Sequence, residues 1–337
     1  MLLAIDAGGT KTRLALYKPG ATLPGRIYRR SFERVVVERV ESRSAASLEE
    51  IVSRFLSTHH DCGDVEAACV AVPGPVQDRA AKATNLPWVI REDDLRAVTK
   101  IDKVVLKNDL VATIAAVPLL SAEQVAVLHP GNPPIDANTY AVVAPGTGLG
   151  ESYMYVDPSG RPHPLPSEGG HVEFAPKTEL QFDLLRYLSS KLKKRVSFER
   201  VLCGPGILNI YSFYRDSAHC QAPQELEEEI AAGSAPAVIT KYAATGRYEI
   251  CVRTLDLFTD ILGSHAGDCV LAYLATAGLY LGGGIPPKIL STLQNGRILK
   301  SYLDKGRLSP LVEATPLVVI KDDHAALLGA ASIAAQL

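Results

Sequence analysis

The chain has no excess of charge of one sign: 35 Lys and Arg stand against 37 Asp and Glu, for a net charge of -2. Polyanion binding needs a basic patch or stripe, so nucleic acid is not an expected partner. Nor do the six cysteines, Cys62, Cys69, Cys203, Cys220, Cys251 and Cys269, contain a CxxC pair. Their scatter argues against a zinc site and against a secreted disulfide scaffold, and reduced thiols in a cytoplasmic protein are the simple reading. The N-terminus lacks a basic region followed by an unbroken apolar one, because Asp6 and Lys11 interrupt it, so no signal peptide is expected. The longest uncharged run, Cys269 to Pro287, ends in Gly282, Gly283, Gly284, Pro286 and Pro287. A buried helix followed by a buried strand accounts for it better than a membrane span. Two phosphate-loop signatures are missing as well: there is no GxxxxGK[ST] loop, and the glycines near the N-terminus do not follow GxGxxG from a strand into a helix.

What is present suits a globular protein of roughly two domains: 337 residues, 47% hydrophobic and 21% charged. The stretch Leu3 to Arg13 reads LAIDAGGTKTR and runs into Leu14 to Tyr17. A strand ending at Asp6, a turn through Gly8, Gly9 and Thr10, and a returning strand make a hairpin with a polar tip. Glycines permit positive φ and clear side chains from the turn, so its N–H groups and the Thr10 hydroxyl can approach an anion. An ordinary glycine hairpin and a phosphate-binding turn both fit this stretch alone.

Further along, Ile27 to Val40 contains a third strand, and Ser47 with Glu50 makes a capping box before an amphipathic helix through Leu48, Ile51, Val52, Phe55 and Leu56. Val65 to Val72 reads as a buried strand, Lys82 to Ile90 as extended, Glu92 to Val98 as a short helix and Lys103 to Lys107 as a strand. Strands alternating with helices imply an α/β sheet. Asn108 and Asp109 follow that strand and precede a helix from Leu110 to Val117. Ligands bind at the carboxyl ends of strands in open α/β sheets, although Asp109 by itself also reads as a helix N-cap.

Tyr140 to Tyr155, YAVVAPGTGLGESYMY, repeats the strand–turn–strand plan with Gly146, Thr147 and Gly148 at its tip. Two such hairpins suggest a duplicated domain that holds phosphate between its halves. Leu165 to Pro176, LPSEGGHVEFAP, places Glu168 and His171 around two glycines, and Ser197 and Glu199 mark a helix start. Carboxylates accept hydroxyl hydrogen bonds and a neutral imidazole accepts one, so this set suits a polyhydroxylated substrate. Helices are expected over Thr178 to Leu192, Arg200 to Tyr214, Glu225 to Ala232, Ala237 to Ala244, Tyr248 to Leu274 and from Lys288. The strand Gly278 to Leu281 empties through Gly282, Gly283 and Gly284, either a bare backbone for a flat base or a tight β-to-α turn. Leu317 to Ile320 reads as a strand, and Ala325 to Ala335 as an apolar helix that packs back on the first domain.

Taken in order, DAGGTKTRLAL, VPGPV, TNLPW, KNDL, APGTGLG, LPSEGGHVEFAP, SFERVLCGPGILNIY and GLYLGGGIPPKI resemble the bacterial glucokinase family of the hexokinase, actin and Hsp70 superfamily. The resemblance spans nearly the whole chain. LPSEGGHVEFAP with SFERVLCGPG is similar to glucokinases proper rather than to the ROK group, whose cysteine-rich zinc motif is missing here. It implies an actin-like ATPase (ribonuclease H-like) α/β fold with two duplicated domains flanking a cleft, 1–118 plus 318–337 and 119–317.

The resemblance also implies roles. Asp6, Gly8, Gly9 and Thr10 belong to a first phosphate motif, Gly146, Thr147 and Gly148 to a second, and Gly282, Gly283 and Gly284 to an adenosine motif. Asn108, Asp109, Glu168, His171 and Glu199 fall on sugar-binding positions, with Asp109 the catalytic base. The expected activity is ATP-dependent phosphorylation of glucose at its 6-hydroxyl, magnesium arriving with ATP and no protein residue assigned to the metal. A homodimer is also implied, with no membrane partner. Ser167, Phe198 and Lys11-Thr12 depart from the family's usual residues, which touches sugar preference and phosphate affinity more than reaction type. The same residue set would suit a kinase for another hexose or hexosamine. A non-catalytic sugar-sensing regulator is the reading of another class, but such a protein would be expected to add a DNA-binding module, for which no room is expected before residue 3. An actin-like filament or chaperone ATPase has no reason for Glu168, His171 and Glu199.

Overall fold

The computed structural model describes residues 1–22, 30–83 and 86–337. Ile27, at the start of the expected third strand, and Thr84 and Asn85 of the TNLPW stretch lie outside them. The chain divides into two compact units, Met1–Gln124 with Ser152–Pro166 and Asp322–Leu337, and Val125–Glu151 with Ser167–Lys321.

The first sheet is built from β1 (Leu2–Ala7), β2 (Lys11–Thr22), β3 (Arg30–Glu41), β4 (Ala67–Val72) and β7 (Lys103–Asn108), in the order β3-β2-β1-β4-β7. β1 and β2 are antiparallel, whereas β1, β4 and β7 run parallel. A parallel strand covered on both faces needs an unbroken apolar run, which LLAIDA and AACVAV supply. One face carries Leu3, Ile5, Val70 and Leu106 against the helix Leu48–Thr58. That helix starts on the expected capping box: Ser47 Oγ accepts the Glu50 N–H at 3.3 Å, while the Glu50 carboxylate accepts the Ala46 N–H at 2.9 Å. The other face packs Leu2, Ala4 and Cys69 on the helices Asp109–Ala116 and Ala325–Ala334. These two helices approach so closely that a Cβ at Gly329 would fall 1.7 Å from the Ala112 carbonyl oxygen. A small antiparallel pair, β5 (Ala80–Lys82) with β6 (Val89–Arg91), occupies the expected extended stretch.

The second sheet is built from β8 (Val125–His129), β9 (Thr139–Pro145), β10 (Leu149–Val156), β11 (Pro162–Ser167), β12 (Gly278–Leu281) and β13 (Leu317–Ile320), in the order β11-β10-β9-β12-β13-β8. Its first five positions repeat the strand order of the first sheet, hairpin then parallel neighbours, since β9, β12 and β13 are parallel. β8, antiparallel to β13, has no counterpart among the described residues of the first sheet. The duplication suggested by two similar hairpins thus extends to whole sheets. β8 and β11, and the short helices Arg297–Leu303 and Ser309–Glu313, are additional to the elements expected from the sequence. PHPLPS carries five polar or proline-restricted positions and little β propensity, so pairing rather than composition makes it a strand. The expected helix Arg200 to Tyr214 begins instead at Gly204, with Phe198–Arg200 a separate single turn. The helix expected from Lys288 is a tight turn, Pro286–Ile289, followed by Leu290–Leu293. Among the described residues no helix is long and apolar enough to cross a membrane.

Candidate active site

In the first unit the hairpin register sets Asp6 opposite Arg13. Arg13 Nη1 donates to Asp6 Oδ2 at 3.3 Å and Nη2 to Asp323 Oδ2 at 3.0 Å. Burial raises the Asp6 carboxyl above the usual carboxylate range, with Arg13 pulling the other way. The hairpin tip is braced from behind: Ser42 Oγ donates to the Gly8 carbonyl at 2.8 Å, and the Ser42 N–H donates to the Thr10 carbonyl at 2.9 Å. One expectation needs correction here. Neither Gly8 nor Gly9 has positive φ. Gly8 is required by close approach, because a Cβ would meet the Lys11 carbonyl oxygen at 2.7 Å. Thr10 is exposed, its hydroxyl free to face a ligand.

Asn108 ends β7 and Asp109 opens the next helix. The N-cap is Asn108, not Asp109: its Oδ1 accepts the Leu110 N–H at 2.9 Å and the Val111 N–H at 3.4 Å. Asn108 Nδ2 also donates to the Gly74 carbonyl at 3.1 Å, which ties the VPGPV stretch to the strand end. Asp109, one residue later, accepts the Leu110 N–H on Oδ1 at 2.9 Å, and its own backbone N–H also hydrogen-bonds its carboxylate. Burial, and then the nearby Asp6 charge, push the Asp109 carboxyl up to about 6. A carboxylate so placed is a stronger base than an exposed one and titrates close to working pH.

The second unit brings together the remaining expected residues. Gly146 and Gly148 close a tight turn by a 2.8 Å backbone bond, and Thr147 at its apex is exposed. A Cβ at Gly148 would fall 2.6 Å from Glu199 Oε2 and push that carboxylate aside. The same Oε2 accepts the Leu149 N–H at 3.1 Å, so the Gly146–Gly148 turn and the Glu199 carboxylate hold each other in place. Cys203 donates its S–H to the Glu199 carbonyl at 2.8 Å and caps the helix Gly204–Asp216. His171 lies between two carboxylates, Nδ1 3.9 Å from Glu199 Oε1 and Nε2 3.8 Å from Glu168 Oε2. These gaps are too long for direct hydrogen bonds, and sugar hydroxyls are the right size and polarity to bridge them. Gly282 donates its N–H to the Val143 carbonyl at 2.9 Å, and Gly283 takes φ +77°, where a Cβ would meet the Pro145 carbonyl oxygen at 2.5 Å. Gly284 faces open space, and its nitrogen lies 3.9 Å from where a Gly146 side chain would begin, so the two glycine turns are neighbours.

Sequence reasoning missed Arg13 and Asp323 as the charges around Asp6. Two acids at the carboxyl end of the parallel strand β13, Asp322 and Asp323, were the available signal. Ser42, distant in sequence from the hairpin it braces, offered none.

Duplicated sheets, each led by a hairpin with a glycine-threonine tip, are the architecture of the actin-like ATPase fold, and full-length likeness to solved and curated glucokinases places the chain among its sugar kinases. The sequence model of the glucokinase family, described as "Glucokinase", matches residues 3–337, and the chain belongs to that family. It is 35% identical to the glucokinase of Trichormus variabilis over 349 aligned residues, covering 100% of this chain and 99% of that one. The solved glucokinase from an Antarctic psychrotroph superposes with a TM-score of 0.87 at 32% identity, covering 100% of this chain and 99% of that one. A ROK family glucokinase from Streptomyces griseus, solved with glucose and AMPPNP, shares the fold at a TM-score of 0.62 and 19% identity, over 100% and 99% of the two chains.

Proposed function

We propose that the protein transfers the γ-phosphoryl group of ATP to the 6-hydroxyl of glucose, with Asp109 as general base. Family membership over residues 3–337 supports the reaction, and the observation that carries the role of Asp109 is a carboxylate at the end of a parallel strand, held on Oδ1 by the Leu110 N–H and raised to about 6. The hydroxyl oxygen attacks the γ-phosphorus, the bond to the ADP oxygen breaks, and the hydroxyl proton passes to Asp109 Oδ2. Even a raised carboxylate is far too weak to deprotonate an alcohol beforehand; a loose transition state lets the proton move late, so Asp109 mainly orients the nucleophile.

Glu168, His171 and Glu199 read the sugar hydroxyls, with Asn108 beside the base. The exposed Thr10 and Thr147 and the backbone around Gly8, Gly9, Gly146 and Gly148 receive phosphate. Gly282, Gly283 and Gly284 leave bare backbone for the adenosine. Magnesium takes oxygen ligands, keeps several waters and binds through one or two carboxylates plus phosphates. Asp6 fits that demand, lying half-buried beside the hairpin tip with one guanidinium at 3.3 Å as counter-charge. Bound with ATP, the ion supplies charge neutralisation on the phosphates.

The reading includes a cytoplasmic location, supported by six free thiols, and the homodimer that the family resemblance implies. Its domain division is 1–118 plus 318–337 and 119–317. A coupled assay over glucose, mannose, fructose, N-acetylglucosamine and N-acetylmannosamine, with ATP, ADP or polyphosphate as donor, tests the function. Glucose with ATP is expected to give the highest kcat/KM, and a better sugar or donor contradicts the reading.

A further inference from the structure

Beneath the Ser167–His171 turn, wholly within the second unit, lies a buried polar cluster that the reaction does not use. Glu151 on β10 is 2% exposed, and its Oε1 is 2.6 Å from Nε2 of His265, itself 4% exposed. Its Oε2 accepts the Tyr273 hydroxyl at 3.2 Å and the Cys269 thiol at 3.7 Å. His265, Cys269 and Tyr273 recur every four residues along the helix Glu249–Tyr273, so one helical face supplies all three.

The direction of the hydrogen bonds follows from valence. Tyr273 donates its hydroxyl proton to Glu151 Oε2. With its proton used, Tyr273 accepts from Ser167, whose Oγ is 2.7 Å away, and Ser167 in turn accepts the Gly169 N–H at 3.0 Å. An ordered chain therefore runs from a buried carboxylate to the first residues of the turn that carries Glu168 and His171. The contact is also steric. A Cβ at Gly169 would fall 2.1 Å from Glu151 Oε2, and one at Gly170 would fall 2.1 Å from the Leu149 carbonyl oxygen. The second sugar-reading segment rests on the same cluster, because the ring centroid of Phe198, next to Glu199, lies 3.9 Å from that of His265 with the planes tilted by 33°.

Glu, His and Cys together are zinc-ligand types. Two light-atom donors on one tetrahedral zinc, each about 2.0–2.1 Å from it, are separated by about 3.3 Å. The 2.6 Å between Glu151 and His265 is instead a hydrogen bond. Burying a carboxylate and an imidazole, whose Nδ1 has no partner among the described residues, is costly where apolar side chains would pack without penalty. Such a cost is kept where it fixes geometry that function needs.

We infer that Glu151, acting through Tyr273 and Ser167, is a positioning residue that sets the Glu168–His171 turn for the sugar. The inference rests on the glucokinase reading, and the test separates the two. Tyr273→Phe removes one hydroxyl and little volume; Glu151→Gln replaces the carboxylate at the other end by an amide that has a single acceptor oxygen for Tyr273 and His265. In the full-length protein each variant is expected to raise the glucose KM at least about 5-fold, with the ATP KM and kcat within about 2-fold. Amide hydrogen exchange from Gly169 to Val172 should accelerate at least about 10-fold relative to wild type. Ser167→Ala should act like Tyr273→Phe, and the double variant should be no worse than either single one, since both break one chain.

Unchanged glucose KM and unchanged exchange in Tyr273→Phe and Glu151→Gln overturn the proposal. Equal rises in both KM values with a lowered melting temperature also overturn it, because they mark a merely structural role. If the wild-type protein does not phosphorylate glucose, the functional reading fails, and the exchange rates still decide whether this chain holds the turn.

Discussion

At the residue scale the account turns on Asp109, whose environment sets chemistry and stability against each other. Burial and the Asp6 charge raise its carboxyl from 3.8 to about 6. The reactive form is the anion, so log kcat/KM for glucose should climb with pH below about 6 and level off above it. A profile flat between about pH 5 and 7 contradicts the assignment. The same shift carries a stability cost. Because the folded state holds the proton more tightly than the unfolded chain, no penalty exists below about pH 4, where both states are protonated; stability is lost as pH rises through the folded value and the loss is constant above it. The shift corresponds to roughly 3 kcal/mol at full effect. Asn at this position keeps the Leu110 hydrogen bond without the charge. Asp109→Asn should therefore melt a few degrees higher than wild type at about pH 8, the difference shrinking toward zero by about pH 4. A lower melting temperature for the variant at pH 8 would count against a desolvated anion.

At the element scale the glycine turns do different jobs that the sequence alone did not separate. Gly283 sits at φ +77° with a Cβ aimed at the Pro145 carbonyl oxygen 2.5 Å away, whereas Gly284 faces open space. Gly283→Ala should lower stability by about 1–3 kcal/mol, read as a fall in melting temperature, through strain that backbone movement must relieve. Gly284→Ala should leave the melting temperature unchanged and raise the ATP KM, because its methyl group occupies the face proposed for the nucleotide. Matching effects of the two variants on both quantities would remove the distinction. Sequence patterning located both glycines, and the run GLYL ahead of them correctly read as a buried strand. It could not say which glycine served the fold, since that depends on the carbonyl of Pro145, far away in the chain. At Asn108 and Asp109 the local code was ambiguous for a similar reason: either side chain can cap a helix, and the strand end at Asn108 decided it.

At the scale of the whole molecule, the duplication is the feature most plainly written in the sequence and most fully present in the fold. Two short hairpin motifs predicted a repeat, and the two sheets share a five-strand order from β3 to β7 and from β11 to β13. Strands buried on both faces announce themselves by unbroken apolar runs, as in LLAIDA and AACVAV. Strands defined by pairing alone, such as β8 and β11, do not. The candidate ligand-facing residues were legible because glycine, threonine, carboxylate and imidazole are specialised types at recognisable spacings. Their supports were not: Arg13, Ser42, Glu151 and Tyr273 look like ordinary surface or core residues until the chain brings them to the turns they hold.

The most direct test of glucose phosphorylation with Asp109 as base is glucose-dependent ADP formation by the Asp109→Asn variant, with glucose affinity measured alongside by calorimetry. The account predicts glucose binding close to that of wild type and a kcat at least about 100-fold lower, the scale of a lost positioned base. Near wild-type ADP formation by that variant would contradict it.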